Sequence, residues 1–211
     1  MILGIPVYDG VDILDVIGPY EMFKWVPKEL GLEVYLLSAE GCPVTSGNGV
    51  KFSVHGRFAD YPKLDVVWVP GGDPDALGIM MSHPDSPYFN YLRQVAATAT
   101  WVCTVCEGAL LGARAGILDG HIVTTHWAFV ACLAQFPAVT PAKGHPRFVQ
   151  SGNRLTGGGI SSGLDESLEL IKLLFGEAVA SGVQLLTQYF PKPPVSAEIP
   201  SQTPACSAHW S

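Results

Sequence analysis

The segment Thr104-Val105-Cys106-Glu107-Gly108-Ala109 sets a cysteine between a run of strand-forming residues and a stretch that opens with Gly and Ala and reads as a helix. A side chain on so sharp a strand-to-helix turn is expected to stand exposed at the top of a sheet, on strained backbone, as in a nucleophile elbow. The helix N-terminus favours a thiolate there by roughly 0.3–1 kcal/mol when exposed. Nucleophilic chemistry at Cys106 is the expectation, set against the plainer reading of a buried structural thiol. Cys103-Thr104-Val105-Cys106 also has the C-x-x-C spacing of a redox pair. Cys103 falls inside the strand, however, and residues three apart on a strand point to opposite faces, so the two sulfurs are expected to diverge.

Leu14-Asp15-Val16-Ile17-Gly18-Pro19 offers an acid to serve that thiol, a carboxylate among apolar residues at the start of a helix. Helix capping would account for such an Asp, but Asp12 is also available as a cap. Burial beside a thiolate would raise the pKa of Asp15 and let it hold or pass a proton near neutral pH. Gly71 and Gly72 follow a strand and Pro70, which reads as a tight turn needing positive φ. The amides around Gly72 and Glu107 could in addition receive developing negative charge. His126, in Thr124-Thr125-His126-Trp127, is either a base for Cys106 or a hydrogen-bonded structural residue near a helix start. Ile17 and Trp127 point to apolar surroundings that suit a hydrophobic substituent. Gly157-Gly158-Gly159 lacks both phosphate-loop patterns and reads as a turn. His55, His83, His121, His145 and His209 are scattered; without H-x-x-x-H, H-E-x-x-H or zinc-type cysteine pairs, no metal site is expected.

Short apolar runs alternate with helical patterns, which predicts a parallel α/β sheet. Strands are expected at Ile2–Tyr8, Glu33–Ala39, Asp65–Val69, Thr100–Val105, Ile122–Thr125 and Arg154–Thr156, with helices at Ile13–Trp25, Gly108–Ala115 and Ile160–Phe175. Ser46-Gly47-Asn48-Gly49 is a turn cluster, and Lys51–Val54 beside it reads as a β excursion. In such sheets ligands bind beyond the C-terminal strand ends, where the Asp9–Pro19 loop, the Pro70–Asp73 turn and the Cys106 turn are expected to converge.

The chain has 211 residues, 48% hydrophobic and 15% charged, which is material for one large core and excludes overall disorder. Twelve Lys plus Arg against 19 Asp plus Glu leave a formal charge of -7 and no basic stripe, so no nucleic-acid partner is expected. No stretch reads as a membrane span or a signal peptide, and no membrane partner is expected. Five cysteines make no disulfide framework; they are expected as free thiols, which implies a reducing, cytoplasmic setting, with Cys42 in a loop, Cys132 in a helix core and Cys206 in a tail. Residues 1–190 are expected to form one α/β domain, followed by a Pro- and Ser-rich arm over 191–211, extended or disordered.

Together LDVIGPYEMF, VVWVPGG, TVCEGALLGARAGILDG, IVTTHW and GGGISSGLDESLELI resemble the ThiJ/PfpI superfamily over most of residues 1–190. The resemblance implies a flavodoxin-like, doubly wound, mostly parallel sheet in a single domain, a nucleophilic Cys106, and a homodimer. LDVIGP, the GALLGARAGILDG helix and TTHW are most similar to the isonitrile hydratase branch, which adds water to R–N≡C to give an N-substituted formamide. Asp15 then matches the catalytic acid, where glyoxalase and deglycase branches carry Glu. Glu107 stands where the peptidase-like branch has His and the hydratase pattern has Thr; a second carboxylate there would raise the pKa of at least one neighbour. The regulator branch carries a C-terminal helix-turn-helix domain, which the non-basic residues after the last amphipathic helix do not match.

The resemblance thus implies a cofactor-independent hydratase acting on a small molecule. Cys106 attacks the terminal carbon, the nitrogen gains a proton through Asp15, and a thioimidate forms that water resolves. The alternatives are a glyoxalase or deglycase acting on 2-oxoaldehydes, and a non-catalytic redox sensor or chaperone using Cys106.

Overall fold

The computed structural model describes residues 1–206; residues 207–211, including His209 and the end of the expected arm, lie outside the described residues. The strands are Ile2–Pro6 (β1), Glu33–Ser38 (β2), Val44–Thr45 (β3), Lys51–Phe52 (β4), Gly56–Arg57 (β5), Val66–Val69 (β6), Trp101–Thr104 (β7), Ile122–Val123 (β8), Thr140–Pro141 (β9), Phe148–Ser151 (β10) and Arg154–Gly157 (β11), the central ones β1, β6 and β7 built on runs of aliphatic and β-branched residues. The helices are Ile13–Lys24 (α1), Pro74–Met81 (α2), Pro87–Ala96 (α3), Gly108–Ala115 (α4), Ser162–Phe175 (α5) and Glu177–Leu186 (α6).

Among the described residues, one seven-stranded sheet runs β10-β11-β7-β6-β1-β2-β5, parallel except for β10 against β11. Its centre, β2-β1-β6-β7-β11, is the flavodoxin-like order, and the winding reverses between β1 and β6. Period-two alternation sorts the side chains. Val66 and Trp68 join Leu3 and Ile5 under α1, α5 and α6, whereas Val67 and Val69 join Val102 under α2, α3 and α4.

The turn cluster at Ser46–Gly49 closes the β3–β4 hairpin as expected. Ile122–Val123 pairs instead with Thr140–Pro141, outside the main sheet. The sequence reading passed over α2 and α3, although each begins with a proline in its first turn, and Asp73 caps α2 by accepting from the amides of Asp75 and Ala76.

Two cysteine expectations are corrected. Cys132 and Cys206 form a disulfide across 74 residues, so not all five thiols are free and the inference of a reducing setting from free thiols falls. Cys132 lies in a 3-10 stretch, Trp127–Gln135, and not in an α-helix. The arm folds back until the two Cα atoms are 4.9 Å apart, within bridging range, and Cys206 packs on the α2–α4 side of the core. Sequence spacing cannot reveal a pair made by such a return. Over residues 191–206 the arm carries neither helix nor strand. No helix among the described residues is long and apolar enough to cross a membrane.

Candidate active site

The three expected loops do converge beyond the C-terminal ends of β1, β6 and β7. Asp12 caps α1 by accepting from the Leu14 amide, which frees Asp15 from capping. Asp15, in the first turn, is fully buried. Its Oδ2 accepts from the Gly71 amide at 2.9 Å, and its carbonyl accepts from Trp68 Nε1 at 3.1 Å. The Asp12 amide donates in return to the Gly71 carbonyl at 3.0 Å. Neither Gly71 nor Gly72 has positive φ, contrary to expectation. Glycine is needed for space: a Cβ on Gly71 would lie 2.6 Å from Glu107 Oε2 and 3.0 Å from Asp15 Oδ2, and one on Gly72 would lie 2.7 Å from the Gly10 carbonyl oxygen.

Cys106 follows β7 with φ of 56°, an unfavourable region for a non-glycine residue. Three bonds hold it there. Its amide donates to the carbonyls of Gly157 and Gly158 at 3.2 and 2.9 Å, and its own carbonyl accepts from Thr125 Oγ1 at 2.7 Å. Gly108 lets α4 start close against β6, since a Cβ there would meet the Val69 carbonyl oxygen at 2.1 Å. One expectation about this cysteine changes. Only 1% of it is exposed; it forms part of the wall of a cavity of about 300 Å³ rather than projecting into solvent. Cys103 and Cys106 both belong to the α1–α5–α6 cluster, and both are free thiols, so the C-x-x-C spacing forms no disulfide here.

The reactive atoms of Asp15, Cys106 and Glu107 all lie within 4.8 Å of one another, and all three residues are buried. Burial pushes each of the three upward in pKa. Asp12 and Glu107 add to the rise at Asp15, against the lowering effect of the Gly71 amide. Asp15 and Glu107 add to it at Cys106. At Glu107 the Cys106 thiol and His126 pull the other way without reversing the rise. The expected helix-terminus preference for a thiolate is therefore outweighed by desolvation and two acidic neighbours. A dry cluster of acids favours neutral, proton-holding forms, and Asp15 Oδ1 is buried with no hydrogen-bond partner. Among the described residues this triad is also the group whose spacing could hold a metal ion.

His126 is the N-cap of the 3-10 stretch, its Nδ1 accepting from the Ala128 amide at 3.2 Å, which is the structural reading of the two. Its ring still lines the cavity beside Cys106, Glu107 and Gly72. Trp127 is turned away into a second cavity of about 310 Å³. Ile17 is partly exposed and lines neither cavity, because it lies one turn along α1 from the cavity-lining Ile13.

Three contributors escaped the sequence reading. The β3–β4 turn brings Gly47 and Asn48 to the rim of the cavity; the Gly47 amide is bonded to the Val11 carbonyl. Ile160, with φ of 30°, aims its amide at Cys106 Sγ, 3.5 Å away. Glu166 on α5 is fully buried with neither carboxyl oxygen hydrogen-bonded, its pKa driven up by burial and then by Asp15. A Glu two residues after Ser-Gly-Leu on an amphipathic helix gives no signal of facing inward until α5 is docked.

The doubly wound sheet that carries this site has counterparts among known proteins. Residues 3–173 match the DJ-1/PfpI family, and the chain belongs to that family. Among its relatives, isonitrile hydratase of Pseudomonas putida is 37% identical over 203 residues, covering 96% of this chain and 85% of that protein. A ThiJ/PfpI family protein from Pseudomonas syringae, known from its crystal structure, superposes with a TM-score of 0.84 at 30% identity, over 93% of this chain and 78% of that one. DJ-1beta of Drosophila melanogaster shares the fold, with a TM-score of 0.75 at 18% identity over 89% of this chain and 97% of that one.

Proposed function

We propose that this protein is an isonitrile hydratase that converts R–N≡C and water to R–NH–CHO through a thioimidate on Cys106. The observation that carries the reading is a fully buried Asp15 carboxyl within 4.8 Å of Cys106 Sγ, on a chain 37% identical to isonitrile hydratase of Pseudomonas putida. An isonitrile is compact and uncharged, and its addition needs a nucleophile, a proton source and control of one water. The reading calls for no cofactor.

Cys106 Sγ bonds the terminal carbon, and the thiol proton, relayed by the Asp15 carboxyl, ends on that carbon to give R–N=CH–S–Cys106. Atom balance places this first proton on carbon rather than on nitrogen, because the formyl C–H of the product retains it. Protonated Asp15 then gives its proton to the nitrogen. Water attacks the carbon and returns a proton to the Asp15 carboxylate. The C–S bond breaks, the sulfur takes the hydroxyl proton, and the formamide leaves with the thiol restored. Amides near Gly72, Glu107 and Ile160 stabilise charge that develops during these steps. Glu107 acts as a second proton store, and His126 bounds the cavity. Trp127 borders the space for the substituent. The working unit is a homodimer.

The decisive assay offers cyclohexyl isocyanide and methylglyoxal in parallel to the wild type, Cys106→Ala and Asp15→Asn. N-cyclohexylformamide from the wild type, none from Cys106→Ala and about a hundredth or less of the wild-type rate from Asp15→Asn is the expected result. Turnover of methylglyoxal alone would replace this reading with the 2-oxoaldehyde one. Neither turnover, with selective peroxide oxidation of Cys106, would leave a redox sensor.

A further inference from the structure

The C-terminal arm reaches the neighbourhood of the site. The cavity of about 310 Å³ that contains Trp127 adjoins the Cys106 cavity, and His126 and Ile160 line both. Across from them the first cavity is bordered by Ile199, a residue of the arm. Ile199 is 48% exposed, so about half of its side chain is covered. The arm has no helix or strand of its own to hold this position. What ties it down is the Cys132–Cys206 disulfide, seven residues beyond Ile199. Its other end lies in the 3-10 stretch Trp127–Gln135, which His126 caps and which begins with Trp127. One short segment, His126 to Gln135, thus carries two walls of the cavity and the anchor of a third.

We infer that Ile199 is a specificity-determining residue, closing the substituent-binding cavity next to Cys106, and that the Cys132–Cys206 disulfide holds it in place. This inference rests on the hydratase reading for the identity of the substituent, the R group of an isonitrile. The volume is at the small end of ligand pockets, roughly 300–1,000 Å³. A six-membered ring fits such a space better than a cage hydrocarbon, and Trp127, Ile160 and Ile199 give it apolar surface to pack against.

The test compares kcat/KM for cyclohexyl and 1-adamantyl isocyanide in the wild type, Ile199→Ala, Ile199→Trp and Cys206→Ser. The wild type is expected to prefer the cyclohexyl compound. Ile199→Ala and Cys206→Ser are each expected to shift the ratio toward adamantyl by about tenfold, the scale of discrimination that one or two methylenes supply, and Ile199→Trp in the opposite direction. Treatment of the wild type with dithiothreitol is expected to reproduce Cys206→Ser. The dithiol gives two electrons and two protons to the S–S bond, leaving two protein thiols and a cyclic disulfide. A second readout does not depend on isonitrile chemistry: the ratio of Cys106 alkylation rates by iodoacetamide and by its N-adamantyl derivative, followed by mass spectrometry of the Cys106 peptide. If the alkylation ratio shifts while no isocyanide is hydrated, the arm's role stands and the hydratase reading falls. If isocyanides are hydrated and both ratios stay within twofold in all variants, the arm's role is overturned and the hydratase reading stands.

Discussion

The Gly71 amide, at the end of β6, donates a 2.9 Å hydrogen bond to Asp15 Oδ2 in the first turn of α1. The Asp12 amide returns a bond to the Gly71 carbonyl, so the first crossover and the third central strand are locked together at the point where the winding of the sheet reverses. Asp15 thereby meets Cys106 from an element remote in sequence, both side chains being buried from bulk solvent.

Gly71 has no room for a side chain between Glu107 and Asp15. Gly71→Ala is expected to lower stability by about 1–3 kcal/mol, the usual cost of overpacking, and to cut formamide production at least tenfold by displacing the carboxyl. Urea denaturation and the isocyanide assay read the two effects. A variant as stable and active as the wild type would remove Asp15 placement as the role of this glycine.

Removing the nucleophile should abolish turnover, whereas removing the proton carrier should leave a residue of it. Cys106→Ala is expected to give no N-cyclohexylformamide above background. Asp15→Asn is expected to retain about one part in 10² to 10⁴ of kcat, the range for general acid–base catalysis. Single-turnover kinetics on Asp15→Asn locate the slow step, and a near-normal rate would dismiss Asp15 as the carrier.

Glu107 raises the Cys106 thiol pKa by its negative charge, after burial and Asp15. Glu107→Gln takes that charge away, so the thiol pKa falls and the thiolate fraction at a fixed pH rises. Iodoacetamide alkylation of Cys106 is therefore expected to accelerate at neutral pH, with its pH profile moved to lower pH. A profile moved upward or unmoved would contradict this ordering of effects.

Glu166 has a folded-state pKa raised well above the ordinary 4.5, by burial first. The folded state then binds more protons than the unfolded chain above pH 4.5. Stability from this group is fully present below that pH and is lost as pH rises to the folded-state value, with a limiting slope of about 1.4 kcal/mol per pH unit. Glu166→Gln removes that slope. Thermal melts from acid to neutral pH are expected to show the variant gaining on the wild type as pH rises, and parallel curves would refute it.

Sedimentation tests the homodimer. At micromolar concentration a species of twice 22.5 kDa is expected, and a single species near 22.5 kDa would refute it.

The sheet was readable from sequence because its strands, buried on both faces, carry uninterrupted apolar runs such as Val66–Val69, and because α4 and α5 have clear helical periods. Helices α2 and α3, short and each opening on a proline in the first turn, carry little helical signal of their own. The convergence of the Asp15, Gly71 and Cys106 loops followed from topology, which local pattern largely dictates. Backbone strain at Cys106 was legible from its place between strand and helix, whereas its burial was not. The spatial need for Gly71 and Gly72 was not, since close approach leaves no mark in spacing.

By itself, the sequence determined which residues could do chemistry and which ends of which strands would carry them, because hydrophobic period and turn residues are local properties of the chain. Tertiary structure decided their protonation. Only packing removes water from Asp15, Cys106, Glu107 and Glu166 together, and their shifted pKa values come from that shared desolvation and from charges brought near across long stretches of chain. It also decided the Cys132–Cys206 pairing, since a covalent bond between residues 74 apart forms only where the fold returns one to the other.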